Sequence, residues 1–240
     1  TSLNQVFSYD AGSGAEFYAP GPAVTLPYTT TGAGAGEIAN FRSVGDAVLR
    51  QDLASTSAAK GSSLVGFLPP GAGAVGRTAD SKLRESVSVK DFGAVGDCTG
   101  TGVGTDDLAA FNACIAYANA NGYDVSIPPG RYRISGGITI NNAGQSGGGY
   151  KDFRCNIVGA GHRSAQLWPD NGAFSVVSVI GSLTGFDTAS SSFQTIKGFG
   201  IIKGDLLGIG LYYKGLSHIR TEDVVVQNCL YGHYADDCLT

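Results

Sequence analysis

Hydrophobic and polar residues alternate along the second half of the chain in short stretches that are typical of β-strands. Val125, Ile127, Tyr132 and Ile134 occupy every second position on the two sides of a Pro-Pro-Gly turn. Further short apolar runs are separated by Gly, Asn, Asp or Ser: ISGGITI, CNIVGAG, FSVVSVIG, FQTIKGFGII, GIGLYY and EDVVVQNC. The pattern predicts a mainly β structure over residues 86–240.

One segment of this region, TDDLAAFNACIAYANANG, has the spacing of an amphipathic helix instead. Thr105 is expected to be its N-cap, with Asp106 and Asp107 at the positive end of the helix dipole. Gly122 is expected to adopt the left-handed conformation that ends a helix. The apolar residues fall on one face: Leu108, Phe111, Ile115 and Ala118.

The connections between the strands distinguish two β architectures. Strands recur at intervals of roughly 15–25 residues without intervening helices, which is typical of a solenoid of β coils. A β-sandwich is the alternative, but Asn-Gly and Asp-Gly hairpin signals are nearly missing between the strands. We therefore expect parallel stacking. Because the pattern continues to Thr240 without a capping element, we also expect the chain to be the N-terminal part of a longer protein.

The first 85 residues have a different character. Residues 1–36 are rich in Gly, Ala, Ser, Thr and Pro with interleaved aromatics, which favours an extended arm that orders against a partner, or a flexible tail. Residues 37–85 are expected to form a helical neck, with a short second helix at ADSKLRE. One narrow-striped helix is marginal in water, so we expect it to pack against copies of itself. Its apolar residues are Ile38, Phe41, Val44, Val48 and Leu53.

Charge and hydropathy narrow the class of partner. Charged residues make up 15% of the chain, the net charge is -4, and no Lys/Arg-rich run occurs, so a nucleic-acid partner is not expected. The longest apolar runs are far shorter than the roughly 20 residues of a membrane span. The N-terminus lacks the pattern of a signal peptide, which favours a soluble protein made in the cytoplasm.

The cysteines argue against a disulfide scaffold or a zinc site, because they are odd in number and form no CxxC pair. We expect buried reduced thiols, no cofactor and no metal. The five cysteines are Cys98, Cys114, Cys155, Cys229 and Cys238.

Three linked blocks between Val87 and Ile134 carry a family resemblance. VSVKDFGAVGD, the helix that begins TDD, and VSIPPGRYRI resemble the opening of the pectate-lyase-like superfamily. The resemblance implies a right-handed parallel β-helix whose N-terminal end is closed by the amphipathic helix. Cys98 stands where that family usually has glycine, in a longer turn.

The upstream SLVGF and KLRE blocks are similar to the neck of phage and prophage tailspikes. This resemblance implies a homotrimeric virion component that binds a phage tail or baseplate protein through residues 1–60. It also implies recognition, and degradation by the full-length protein, of bacterial capsule or lipopolysaccharide glycan. The alternatives are a structural attachment protein without catalysis and a free pectinase-like enzyme. The missing signal peptide and the self-associating neck count against the free enzyme.

Glycan hydrolysis requires two carboxylates, and a lyase requires a base beside a group that neutralises the uronate. The candidates are His233, Asp236 and Asp237 in YGHYADDCLT, where ADDCL resembles the GDDCI motif of polygalacturonases. The Asn-Thr-Asp motif that precedes it in those enzymes is not found upstream, which favours loop aspartates or a second-site role over catalysis. The sequence leaves open the active site, the choice between hydrolase and lyase, the host and the glycan.

Other polar and aromatic residues have simpler interpretations. Asp91 and Asp97 are expected to bond backbone amides at the DFGAVGD turn, and Asp170 and Asp205 to lie in solvated turns. Five aromatic residues are candidate sugar-stacking platforms, although buried packing is their alternative role. They are Trp168, Tyr212, Tyr213, Tyr231 and Tyr234.

Overall fold

The chain forms two compact units, Thr1–Lys82 and Leu83–Thr240. Side chains are described from residue 49 onward. The computed structural model describes residues 7–10, 15–20, 41–43, 46–141, 155–181, 194–216, 219–236 and 238.

The first unit opens with a small antiparallel sheet in the order β1-β2-β3. Helix α1 follows directly at Asp46. The pattern predicted a helix from Ile38 to Leu53, but Phe41 lies in β3, and Ile38 and Val44 lie outside the described residues. Gly45 precedes the helix, and its backbone entropy disfavours a helical interior there. The bounds are β1 Phe7–Asp10, β2 Ala15–Pro20, β3 Phe41–Ser43 and α1 Asp46–Ala54.

The remainder of this unit is a short connector. A 3₁₀ turn at Gly61–Leu64 leads into the antiparallel pair of β4 (Gly66–Phe67) and β5 (Arg77–Thr78). Helix α2 (Ala79–Leu83) follows, which confirms the short helix predicted at ADSKLRE. The backbone N–H of Ala79 donates to the carbonyl of Val65 at 2.8 Å, so the connector is closed by a backbone hydrogen bond.

The second unit is built of parallel strands that stack in coils, and all of its strand pairs are parallel among the residues described. The coils are residues 124–141, 155–181, 194–216 and 219–236. The strands are β6 Ser86–Ser88, β7 Asp124–Ile127, β8 Gly130–Ile134, β9 Ile138–Asn141, β10 Ile157–Gly159, β11 Ala165–Pro169, β12 Ser175–Ile180, β13 Gln194–Ile202, β14 Ile209–Lys214, β15 Ile219–Gln227 and β16 Tyr231–Asp236.

The strands form three faces. Face A contains β6, β7, β10 and the first parts of β13 and β15; face B contains β8, β11 and the second parts of β13 and β15. Face C contains β9, β12, β14 and β16. Parallel pairing excludes the β-sandwich alternative, and the predicted mainly β parallel solenoid is confirmed. Strands β11 and β16 lie where the sequence analysis placed none.

Apolar side chains at equivalent positions of successive coils stack into one core. Val125, Ile157 and Ile196 are aligned on face A, and all three are buried. Tyr132, Leu167 and Ile201 repeat this on face B, as do Ile138, Val177 and Leu211 on face C. Alternate residues of a strand point to opposite sides, so the intervening residues are left for solvent or for contacts along the outer surface.

Helix α3 (Leu108–Asn121) closes the N-terminal end of this core, as predicted. Phe111, Cys114, Ile115 and Ala118 are buried, and Gly122 ends the helix at φ +71°. The cysteines are free thiols, of which Cys98, Cys114 and Cys155 are buried. No helix among the described residues is long and apolar enough to span a membrane.

The predicted N-cap of α3 is wrong. The capping position is Asp107, whereas the backbone and hydroxyl of Thr105 donate to Asp97 at 2.8 and 3.0 Å. The buried carboxylate of Asp107 accepts the backbone N–H groups of Val95 and Gly96 at 2.7 and 3.1 Å. Asp107 therefore fastens the DFGAVGD turn to the start of the capping helix, which gives it a role that helix-dipole reasoning did not predict.

The two longest strands, β13 and β15, each contribute to both face A and face B. In each of them one residue with positive φ lies between the part on face A and the part on face B. In β13 this residue is Gly198 at φ +76°, where a Cβ would lie 2.4 Å from the carbonyl oxygen of Gly159. In β15 the aligned position is Asp223 at φ +47°. Asp is among the few side chains that tolerate the left-handed region, so the corner repeats with a carboxylate in place of glycine.

Candidate functional site

Three tyrosines cluster on face C. Tyr212 of β14 and Tyr234 of β16 are cross-strand partners whose rings stack, with centroids 5.9 Å and planes 25° apart. Tyr231 adds a tilted ring 5.7 Å from that of Tyr234. Tyr231 and Tyr234 are 51% and 43% exposed. These three side chains, called the tyrosine platform below, present aromatic surface to solvent.

Two charged side chains border the tyrosine platform. Asp236 lies two residues after Tyr234 on the same side of β16 and is aligned with Lys214 of β14. The hydroxyl of Tyr212 donates to Asp236 Oδ2 at 3.2 Å, and Lys214 Nζ lies 3.8 Å from the same oxygen. Both charged groups remain partly exposed. A hydrogen-bond acceptor and a cationic donor therefore lie beside the rings.

The structure separates the predicted catalytic candidates. His233 is aligned with Leu211 on the opposite side of β16 from Asp236, and its ring meets Tyr213 edge-on at 6.3 Å. Asp236 belongs to strand β16 rather than to a loop. Asp237 lies outside the described residues. A catalytic role for His233, Asp236 and Asp237 stays a prediction, and His233 and Asp236 do not face the same space.

The two remaining aromatic candidates have other surroundings. Tyr213 is buried in the core, its hydroxyl lies 2.7 Å from that of Thr221, and burial raises its pKa. Trp168 lies on face B, where its indole N–H donates to Gln166 and the guanidinium of Arg131 lies 5.5 Å from its ring centre. The platform therefore contains three of the five aromatics that the sequence analysis singled out.

The expectation of solvated turn aspartates at Asp170 and Asp205 is wrong. Asp170 accepts two hydrogen bonds from the guanidinium of Arg133, at 3.0 and 2.8 Å. Asp205 is 12% exposed and receives the ammonium of Lys203 at 2.7 Å. The hydrogen bond from Lys203 lowers the pKa of Asp205. Asp170 thus neutralises a cation of the neighbouring strand β8, and Asp205 neutralises the lysine two residues before it, so neither is a solvated turn carboxylate.

Lys203, the cation that pairs with Asp205, is buried, and the sequence analysis missed it. Its ammonium also donates to the carbonyl of Gly172 at 2.7 Å and lies over the ring of Phe174, 4.9 Å from the centre. The lysine follows an apolar run, GFGII, at a position where a strand normally returns to solvent. Nothing in that local pattern distinguishes a buried lysine from an exposed one.

A histidine–aspartate pair joins coils that are not neighbours. His162 of the second coil contacts Asp223 of the fourth, with Nδ1 2.5 Å from Oδ1. The hydrogen bond from His162 lowers the pKa of Asp223. The third coil has a glycine, Gly200, where it passes under His162. A Cβ at this position would lie 2.6 Å from the carbonyl oxygen of His162. The pair bridges the third coil on the outside.

Among the residues described, no three His, Cys, Asp or Glu side chains are grouped so that they could hold a metal ion. The tyrosine platform offers aromatic stacking, hydrogen bonding and charge pairing.

Residues 86–206 match the family described as rhamnogalacturonase A/epimerase, pectate lyase-like. The match begins at β6 and extends into the third coil, so it covers half of the chain and includes the capping helix. Fold and match together define a pectate-lyase-like β-helix protein. The chain belongs to the rhamnogalacturonase A/epimerase, pectate lyase-like family.

Several solved structures with a similar fold come from phages. Tailspike protein 3 of bacteriophage CBA120 is 18% identical, with a TM-score of 0.58, over 99% of this chain and 39% of that one. ORF18 of Geobacillus virus E2 is 27% identical, with a TM-score of 0.47, over 62% of this chain and 27% of that one. A mutant tailspike protein of E. coli bacteriophage HK620, in complex with a hexasaccharide, is 17% identical, with a TM-score of 0.46, over 80% of this chain and 35% of that one.

The chain therefore spans well under half the length of these structures. The likeness to the CBA120 protein extends over both units of this chain and shows the fold. The predicted resemblance to a tailspike with a pectate-lyase-like β-helix is confirmed at the level of fold. No curated protein matches the chain.

Proposed function

We propose that this chain is part of a phage tailspike that recognises bacterial capsule or lipopolysaccharide glycan through the tyrosine platform. The observation that carries the proposal is the solvent-facing stack of Tyr212 and Tyr234 on the outer surface of a β-helix. The likeness in fold to a tailspike supports the proposal, and the family match over residues 86–206 supports the β-helix whose later strands carry the platform.

The chemistry of the platform suits a sugar chain. The apolar ring faces of tyrosine pack against the C–H surface of a sugar. Asp236 accepts from sugar hydroxyls, and Lys214 donates to hydroxyl or carboxylate oxygens. Apolar contact with a few polar groups at its edge is the usual composition of a small-molecule site.

The first prediction concerns Tyr234, the most central ring of the platform. Replacing it with Leu removes stacking with Tyr212 and with a bound sugar, so we expect glycan affinity to fall about tenfold, or ~1.4 kcal/mol. Isothermal titration with oligosaccharides released from the host's surface glycan measures the change. Equal affinity of the Tyr234→Leu protein and the parent would contradict the proposal.

The matched control is Trp168→Leu, which removes an aromatic ring from face B instead of face C. We expect this variant to keep the parent affinity. Circular dichroism of both variants separates a loss of binding from a loss of structure. If Trp168→Leu weakens binding and Tyr234→Leu does not, the binding surface is face B.

The proposal assigns attachment and assembly to the first part of the chain. Residues 1–36 are the arm that binds a tail or baseplate protein, within residues 1–60, and residues 37–85 are the trimeric neck. Large apolar side chains exposed on the single chain in this region support self-association. Among the described residues they include Leu49, Leu53, Leu64, Val65, Leu68 and Val75.

The second prediction concerns the oligomeric state. We expect light scattering after size exclusion to give three times the 24.5 kDa chain mass. Replacing Leu49 and Leu53 of α1 with Ser removes apolar surface from the neck and is expected to shift the protein toward monomer. Leu206→Ser, which changes a still more exposed leucine of the β-helix, is the control. A monomeric parent would contradict the trimeric neck.

Degradation of the glycan by the full-length protein is the second half of the proposal, and a purely binding virion protein is its alternative. Among the residues that the structure describes, one partly exposed carboxylate, Asp236, lies beside the platform, whereas hydrolysis requires a pair. Shortening of the glycan by the full-length protein, but not by this chain alone, is the expected result. A full-length protein that binds the glycan without shortening it would favour the alternative.

A further inference from the structure

A groove lies between the capping helix and the first strand of face C. Its volume is about 520 Å³, within the range of small-molecule sites. One wall is a stripe of α3 and the other is the outer side of β9 and the residue before it. The lining residues are Asn112, Ile115, Ala116, Asn119, Ala120, Gly137, Thr139 and Asn141. This space is called the amide groove below.

Small residues keep the amide groove open. Ala116 and Ala120 face it from α3, and Gly137 faces it from the other wall. Both alanines are exposed, so neither is needed for packing. A helix accepts longer side chains such as Leu at such positions at little cost. A larger residue at these positions would fill the space.

The polar groups of the amide groove point to an uncharged ligand. Among the described residues, the lining is free of charged side chains and contributes amides from Asn112, Asn119 and Asn141 and the hydroxyl of Thr139. Primary amides and hydroxyls both donate and accept hydrogen bonds, as sugar hydroxyls do. The apolar floor of Ile115 and alanine methyl groups suits the C–H surface of a sugar ring.

Asn119 has unused hydrogen-bonding capacity. Its Nδ2 donates to the carbonyl of Asn141 at 3.4 Å, a long contact, while no described group donates to its buried Oδ1. A buried acceptor without a donor is costly and uncommon in a protein. The terminal torsion of asparagine is broad, so the amide can turn and present Oδ1 to a donor in the groove.

The strand register sets the amide groove on the same face as the tyrosine platform. Thr139 of the groove aligns with Ser178, then with Tyr212 and Tyr234, along successive strands of face C. Parallel strands lie ~4.8 Å apart, so the groove and Tyr234 are about 14 Å apart along the solenoid. The groove and the platform therefore lie on one face of the solenoid, with the buried Ser178 between them.

We propose that the amide groove is a second glycan subsite and that it takes a neutral sugar residue of the same chain that contacts the tyrosine platform. The neutrality of the ligand follows from the groove itself, whereas its identity as a sugar rests on the proposed function. Two linked contacts then act on one ligand, so a longer glycan binds more tightly than a fragment that fills one subsite.

The test follows the side-chain amide signals of the 240-residue chain by NMR during titration with N-acetylglucosamine, with glucuronate as the charged probe. We expect saturable shifts of the Asn112 and Asn119 amides with the neutral sugar, on the order of millimolar Kd, and none with glucuronate. Ala116→Leu fills the groove and is expected to abolish the shifts. Ala113→Leu, an exposed position of α3 outside the groove, is expected to keep them.

Asn119→Leu provides a second readout. We expect it to lose the sugar-induced shifts without lowering the free energy of unfolding, because an unsatisfied buried acceptor is replaced by apolar atoms. Equal shifts in the parent and Ala116→Leu, or a clear loss of stability in Asn119→Leu, would overturn the proposal. Affinity for the host oligosaccharide distinguishes the two proposals, since Tyr234→Leu reports on the platform and Ala116→Leu on the groove.

Discussion

Lys203→Met is expected to lower the free energy of unfolding of the β-helix by about 3–5 kcal/mol. The ammonium of Lys203 is fully buried and contacts Asp205 at 2.7 Å and the carbonyl of Gly172 at 2.7 Å. Methionine retains the length of the side chain but leaves the Asp205 carboxylate without its cation. Removing one partner of a buried ion pair costs far more than the pair itself contributes. Urea unfolding followed by the fluorescence of Trp168, the only tryptophan, measures the loss.

Two further variants isolate the charge. Asp205→Asn in the Lys203→Met background removes the unpaired carboxylate but keeps an oxygen for the backbone N–H of Gly172. We expect it to recover part of the lost stability. Lys214→Met, which breaks a partly exposed pair with Asp236, is expected to change stability by at most about 1 kcal/mol. Equal losses in Lys203→Met and Lys214→Met would show that burial of the pair does not matter.

Asp107→Ala is expected to lower the free energy of unfolding by about 2–3 kcal/mol at neutral pH. The variant removes the acceptor for the backbone N–H groups of Val95 and Gly96, so the DFGAVGD turn loses its attachment to α3. The same unfolding assay measures the change, and Asp80→Ala in helix α2 is the control with little expected effect. A loss below that of the control would contradict the structural role of Asp107.

The effect of Asp107→Ala should also depend on pH in a stated direction. Burial raises the pKa of Asp107 above its ordinary value, although its two backbone hydrogen bonds oppose the shift. The folded chain therefore holds this proton to higher pH than the unfolded chain. The stabilisation from Asp107 is fully present below the unfolded pKa and decreases as pH rises through the folded pKa. The difference between parent and variant should shrink from pH 3 to pH 7; a growing difference would contradict the raised pKa.

The candidate site was only partly predictable. The sequence analysis named Tyr212, Tyr231 and Tyr234 as stacking candidates but gave no reason to prefer them over Tyr213 or Trp168. Period-two alternation could have separated Tyr212 from Tyr213, since neighbours in a strand face opposite sides. It could not have shown that Tyr212 and Tyr234 are adjacent, because the register joins residues from different coils.

The amide groove and the His162–Asp223 pair were not predictable for the same reason. His162 and Asp223 are 61 residues apart in the sequence and belong to coils separated by a third. In the sequence pattern, Asn119 is an ordinary helix residue and Thr139 is an exposed strand residue. Only the placement of α3 against β9 brings their side chains to one space.

The sequence by itself determined the local structure of the second unit. Alternation in VSIPPGRYRI, the amphipathic spacing of the TDD helix, and the left-handed glycine at Gly122 each depend on a few neighbouring residues. The order of these elements also favoured a parallel β-helix, because the strands are separated neither by hairpin turns nor by helices. These features are local in the chain, so the sequence pattern was sufficient to predict them.

The tertiary structure decided which polar and aromatic residues act together. Coil lengths differ, and stacking aligns positions at unequal sequence separations, such as Ile138, Val177, Leu211 and His233. That alignment places Asp236 on the outer surface and His233 on the inner one, and it buries Lys203 against Gly172 and Phe174. Such contacts are non-local, because their energy depends on packing between coils that no local pattern in the sequence specifies.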